Sequence, residues 1–217
     1  MPVKTAWWSW LTLQLLRIHA VLLLAMGRSN AALARFDRLL QLRPLDCHAL
    51  ASQAHIHAQR GSFDEAVNSL CLLTQTRPQD AAGWFNLGYA LQQLGEQGQA
   101  GVAFRQALAM DPRMDRAWYG LALVLMDLRQ YQEAADALEN TTALQPMSPH
   151  GWFRLAQVRQ ALNQHDEAVN IALHLREFEP KVAAQLERAL GVGLPFSPCH
   201  QGRGASVVAA RASRHAA

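Results

Sequence analysis

Little in this sequence serves covalent or metal chemistry. Its three cysteines, Cys47, Cys71 and Cys199, are an odd number with no short metal-ligand spacing. They suit a reducing compartment, the cytoplasm, better than a disulfide framework. Cys47-His48 and Cys199-His200 are isolated adjacent pairs. His55 and His57, two residues apart on a helix, point about 200° from each other and cannot share an ion. No G-x-x-x-x-G-K loop occurs, and Gly191-Val192-Gly193 runs into Leu-Pro-Phe instead of opening a helix, so a phosphate cradle is missing. No cofactor, no metal and no enzymatic activity are expected.

An excess of charge is missing too. The formal net charge of +3 comes entirely from Arg203, Arg211 and Arg214; residues 1–191 carry 17 basic and 17 acidic side chains. Nucleic acid binding needs a basic stripe that displaces counterions, so no nucleic acid partner is expected. Long hydrophobic runs are limited to residues 6–26, interrupted by Ser9, Thr12, Gln14, Arg17 and His19. At about 1.5 Å per residue this stretch could cross a bilayer, but Arg17 near the centre would cost about 2.5–3.5 kcal/mol. Arg17 also interrupts a signal-peptide core, and no small-x-small cleavage site follows. Leu121 to Leu128 (LALVLMDL) is about as apolar as Val21 to Met26 (VLLLAM), so this degree of apolarity suits a helix covered on both sides. The expectation is a helix of the folded body in a cytoplasmic protein. The alternative is an N-terminal helix that contacts the inner membrane and tethers an assembly factor to it.

What the sequence does have is a period. Prolines stand at Pro44, Pro78, Pro112, Pro146 and Pro180, and alanines at Ala32, Ala66, Ala100, Ala134 and Ala168, both at one constant interval. Trp84, Trp118 and Trp152 keep the same register, each followed three residues later by Leu87, Leu121 or Leu155. A strict period of about 34 residues marks stacked structural units. The units run 13–46, 47–80, 81–114, 115–148 and 149–182. Within each, helical spacing is broken once, at Gly27, Gly61, Gly95, Arg129 or Asn163, so each unit reads as two helices. The small alanine lets the second helix approach the first, Trp and Leu fill the space beside it, and proline ends the unit. Asp64-Glu65 and Asp166-Glu167 fall where second helices begin, which suits the helix dipole. After Pro180, residues 181–191 place Val182, Leu186, Ala189 and Leu190 on one face of a capping helix. Residues 192–217, rich in Gly, Ser and Ala with scattered arginines, read as a disordered basic tail.

Trp84 to Gly88 spells W-x-x-L-G, followed by Ala100, Phe104, Ala107 and Pro112, and in this the chain resembles the tetratricopeptide repeat family. The resemblance spans all five units, 13–182, the first of them more weakly. Departures are specific: Leu16 and Leu50 replace tryptophan, His19 and Gln53 replace the leucine, Gly88 alone keeps the glycine, and Ala172 replaces a large apolar residue. The resemblance implies an all-α, right-handed superhelical solenoid of about five helix-turn-helix repeats with a C-terminal capping helix. It further implies a non-catalytic scaffold, adaptor or chaperone whose first helices line a concave groove for a partner's peptide segment or helix.

In that register the residue after each tryptophan is aromatic, Phe85, Tyr119 and Phe153, and stacking would bring the three onto one side. Their helical neighbours are Asn86 and Tyr89, then Arg116 and Leu123, then His150, Arg154 and Gln157. Aromatics with arginines suit a segment with apolar anchors and acidic character; packing between repeats is the alternative role for the rings. The carboxylate clamp of some family members is incomplete, since Ala51, His55 and Gly120 stand where its Lys, Asn and second basic residue belong. Trp7, Trp8 and Trp10, in the extension 1–12 that precedes the first unit, suit end packing, pairing of copies or a membrane interface equally.

Overall fold

The computed structural model describes the backbone of residues 3–191 and the side chains of residues 11–191. The basic segment 192–217 and the side chains of Trp7, Trp8 and Trp10 lie outside the described residues. Eleven α-helices follow one another in the described chain. They are α1 (Val3–Ala25), α2 (Ser29–Leu42), α3 (Cys47–Gln59), α4 (Phe63–Thr76), α5 (Ala81–Gln93) and α6 (Gln97–Met110), then α7 (Asp115–Asp127), α8 (Tyr131–Leu144), α9 (Pro149–Ala161), α10 (His165–Phe178) and α11 (Pro180–Leu190). From α2 to α10, alternate helices begin at the same constant interval as the prolines. Each helix packs on its chain neighbours, α5 also touches α7, and α11 lies on both α10 and α9.

The periodic residues explain this geometry. Ala32, Ala66, Ala100, Ala134 and Ala168 are all fully buried, because a methyl group is the largest side chain that lets paired helices close on each other. Leu87, Leu121 and Leu155 are buried beside them. The tryptophans, expected to fill that space, are only half-buried. Their second role is polar: Trp84, Trp118 and Trp152 donate the indole N–H to the carbonyls of Pro78, Pro112 and Pro146 at 2.9, 2.9 and 2.7 Å. A proline carbonyl in the inter-unit loop has no helical donor, so each tryptophan ties its helix to the loop before it.

Every break between paired helices is a left-handed residue: Gly27, Gly61 and Gly95 at φ of 72°, 74° and 81°, then Arg129 at 59° and Asn163 at 60°. Glycine adopts this conformation freely, asparagine tolerates it, and arginine is strained there. Between units, a proline directly follows the last helical cap at Arg43, Arg77, Asp111 and Gln145, where a ring without N–H stops the helix.

Of the polar residues at leucine positions of the pattern, Gln53 and Arg159 each find partners on two other helices. Gln53 on α3 donates to Asp37 on α2 and accepts from Ser69 on α4. Arg159 on α9, 7% exposed, reaches Glu139 on α8 and Glu167 on α10. In both cases one first-helix side chain joins the preceding second helix and its own. The apolar interior is likewise divided: Ala20, Leu23, Ala32, Phe36, Leu39, Ala49 and Ile56 form one cluster, and a larger one runs from Leu50 to Leu186. Arg17 on α1 bonds Asp46, the N-cap of α3, at 2.6 Å.

At the far end α11 buries Ala183 and Leu186 completely, and Arg176 on α10 pairs with Glu187. Ala189, expected on the inner face, is exposed while Ala183 is inside. The stripe runs three residues back from Leu186, as helical side chains at i−3 share a face.

Candidate functional site

A groove of about 800 Å³ opens along α5, α7 and the start of α9. Six of the ten residues predicted for the site line it: Phe85, Tyr89, Arg116, Tyr119, Leu123 and His150. Phe85 and Tyr89 are one turn apart on α5, and Tyr119 and Leu123 one turn apart on α7, so two neighbouring first helices present matched pairs. Phe85 is half-buried against the core and its ring lies 5.9 Å from that of Phe104. Tyr89 is 44% exposed and meets the edge of Phe63. The rings therefore pack on the interior with one side and face the groove with the other.

The other four predicted residues do not line the groove. Asn86 is exposed beside it. Phe153 packs half-buried against the core, and Arg154 donates to Gln157 at 3.0 Å. Phe85 and Tyr119 thus line the groove together, while Phe153 is not among its lining residues.

Sequence reasoning also missed part of the wall. Gln93 and Asp127 line the groove, and they continue the stripes 85, 89 and 119, 123 by one more turn, a signal present in the i, i+4, i+8 spacing. Gln97 and Gln145 come from second helices and their caps, and no first-helix periodicity points to them. Gly120 is the least expected member. A Cβ there would lie 2.6 Å from Phe104 Cζ, so the helix is bare at this point and the Phe104 ring forms the floor beneath it.

Two family profiles, both described as tetratricopeptide repeat, match residues 19–75 and 91–152. The chain belongs to the tetratricopeptide repeat family. No curated protein matches the sequence. Among solved structures, MamA is similar at 20% identity and a TM-score of 0.73, over 86% of this chain and 98% of that one. YrrB, a tetratricopeptide repeat protein described as having an unusual peptide-binding site, is similar at 16% identity and a TM-score of 0.71, over 78% and 88%. TTC0263, a tetratricopeptide repeat protein of Thermus thermophilus, shares 25% identity at a TM-score of 0.56, over 83% and 100%. At such identities these likenesses are to the fold.

The electrostatics of the groove are mixed. Arg116 and His150 stand with Asp115 and Asp127, and Asp115 accepts from Gln145. Among the described residues no group of three or more His, Cys, Asp or Glu side chains is placed to hold a metal ion. Burial pushes the Cys71 thiol up, away from the thiolate form. No helix among the described residues is long and apolar enough to cross a membrane.

Proposed function

We propose that the protein holds a short segment of a partner in the groove between α5, α7 and α9, acting as a non-catalytic adaptor or chaperone. A tetratricopeptide repeat chain is a protein-interaction scaffold; the groove is where this one grips. The observation that carries the reading is the meeting of Phe85, Tyr89, Tyr119 and Leu123 around one 800 Å³ volume, within the size range of ligand sites. Large rings held by packing on one side give contact area at low entropic cost. With charges of both signs in the wall, shape and hydrogen bonding dominate selection, and acidic character in the ligand is expected opposite Arg116 alone.

The test is a pull-down from lysate with membranes retained, comparing wild type, a Phe85→Ala/Tyr119→Ala variant and Phe153→Ala, each first checked for helical content. Proteins lost from the double variant and kept by Phe153→Ala support the groove. Identical recovery by all three places the interaction elsewhere.

A second reading rests on α1, whose Leu15, Ile18 and Leu22, with Met26 just past its end, are 55–69% exposed. In that reading the helix lies on the surface of the inner membrane and tethers an assembly factor there, instead of serving a cytoplasmic one. Flotation of the full chain with anionic lipid vesicles, abolished by Ile18→Asp, supports it; a chain that stays at the bottom of the gradient removes it.

A further inference from the structure

We propose that the segment held in this groove is a proline-containing stretch in the polyproline II conformation, an inference that rests on the groove reading above and narrows it. Three of the recurring modes of peptide recognition fix the backbone conformation of the ligand: addition to a sheet edge, a helix in a groove, and an extended polyproline II segment on aromatics. The described residues form helices alone, so there is no sheet edge to extend. A ligand helix, about 10–12 Å across, would fill this volume with under two turns and satisfy its own backbone internally. It would leave the amide wall without partners.

That wall is rich in uncommitted amides. Gln92, Gln93 and Gln97 line the groove, and none makes a side-chain hydrogen bond among the described residues; the amide oxygen of Gln97 is buried without a donor. Each carries two donors and an acceptor. A polyproline II backbone has no internal hydrogen bonds, so it presents free carbonyls to the amide N–H donors and, at its non-proline residues, a free N–H to the Gln97 oxygen. The spacing agrees as well. Prolines at i and i+3 in this conformation are about 9.3 Å apart, and neighbouring packed helices are about 8–10 Å apart. One proline then rests on the Phe85 and Tyr89 pair of α5 and the next on the Tyr119 and Leu123 pair of α7.

The experiment is selection of random 12-residue peptides displayed on phage against the full chain, followed by affinity measurement of the enriched peptides on variants. The expected result is enrichment of prolines at i, i+3 spacing, with affinity at least tenfold weaker on Leu123→Arg and at least threefold weaker on Gln93→Ala, an exposed position that does not threaten folding. Peptides with a helical apolar pattern and no proline, still lost on Leu123→Arg, overturn the polyproline reading and keep the groove. Peptides that bind both variants as tightly as wild type overturn the groove with it. Failure of any peptide to enrich overturns the inference while leaving the pull-down to judge the groove.

Discussion

A Cβ on Gly120 would stand 2.6 Å from Cζ of Phe104, and one on Gly88 would stand 2.8 Å from Cδ1 of the same ring. Phe104 is 1% exposed, so its ring is wedged between the first helix of its own unit and that of the next, and both helices are bare where it passes. Gly88 is the glycine of the repeat signature, and Gly120 answers to the same ring from the other side.

Gly120→Ala is therefore expected to destabilise the protein by about 1–3 kcal/mol, as overpacking does. Phe104→Leu, which copies the leucine at 138, should remove most of that penalty in the double variant. Urea denaturation of the two single variants and the double variant measures the coupling. Additive losses would show that the ring and the glycine do not constrain each other.

Arg129 occupies the left-handed position that glycine holds in three other units. Arg129→Gly should raise stability by about 0.5–1 kcal/mol, because relief of the strain exceeds the added freedom of the unfolded chain. Asn163→Gly should change it by a few tenths only. Calorimetric melting of the two variants side by side decides, and an unstable Arg129→Gly would assign the arginine a contact that outweighs its strain.

Arg159 sits at a leucine position and ties α9 to Glu139 and Glu167. Both carboxylates are about half exposed and can rehydrate, so Arg159→Leu is expected to be neutral or stabilising by about 1 kcal/mol. A loss above about 2 kcal/mol in chemical denaturation would instead make the ion pairs a principal support of the last unit.

Asp46 caps α3 through the Ala49 N–H at 3.0 Å and pairs with Arg17. Burial alone would raise its carboxyl; the Ala49 N–H, the Arg17 guanidinium and the nearby His48 outweigh it and hold the group below the usual carboxylate value. A depressed folded value means that the stabilisation is fully present above the unfolded value near about 3.9 and is lost as pH falls through the folded one. The stability gap between wild type and Asp46→Asn should thus be flat from pH 7 to about 5 and shrink below about 4. A gap that does not move with pH between about 5 and 3 would deny the ion pair its role.

Much of the architecture was legible because it repeats. Pro112, Ala100 and Leu121 each have counterparts one period away, and a residue demanded by close helix approach must recur wherever the approach recurs. The left-handed turn was legible at Gly95 for the same reason, while at Arg129 only the spacing marked it. Groove residues are less visible. Tyr89 and Leu123 follow from helical spacing, but Gln97 and Gln145 reach the site from second helices and their caps, whose faces no periodicity of the first helices describes.

The departures divide in the same way. Gln53 and Arg159 read as flaws in a leucine pattern until their partners on two other helices are in place, and Gly120 reads as a missing basic residue until Phe104 is seen beneath it. Sequence alone determined the helices, their pairing and their order, since these depend on local propensity and on spacing within one unit. Only the tertiary structure decided that Phe85 and Tyr119 share a groove that Phe153 does not line, because the path of that surface depends on how several units stack, and no single unit contains it.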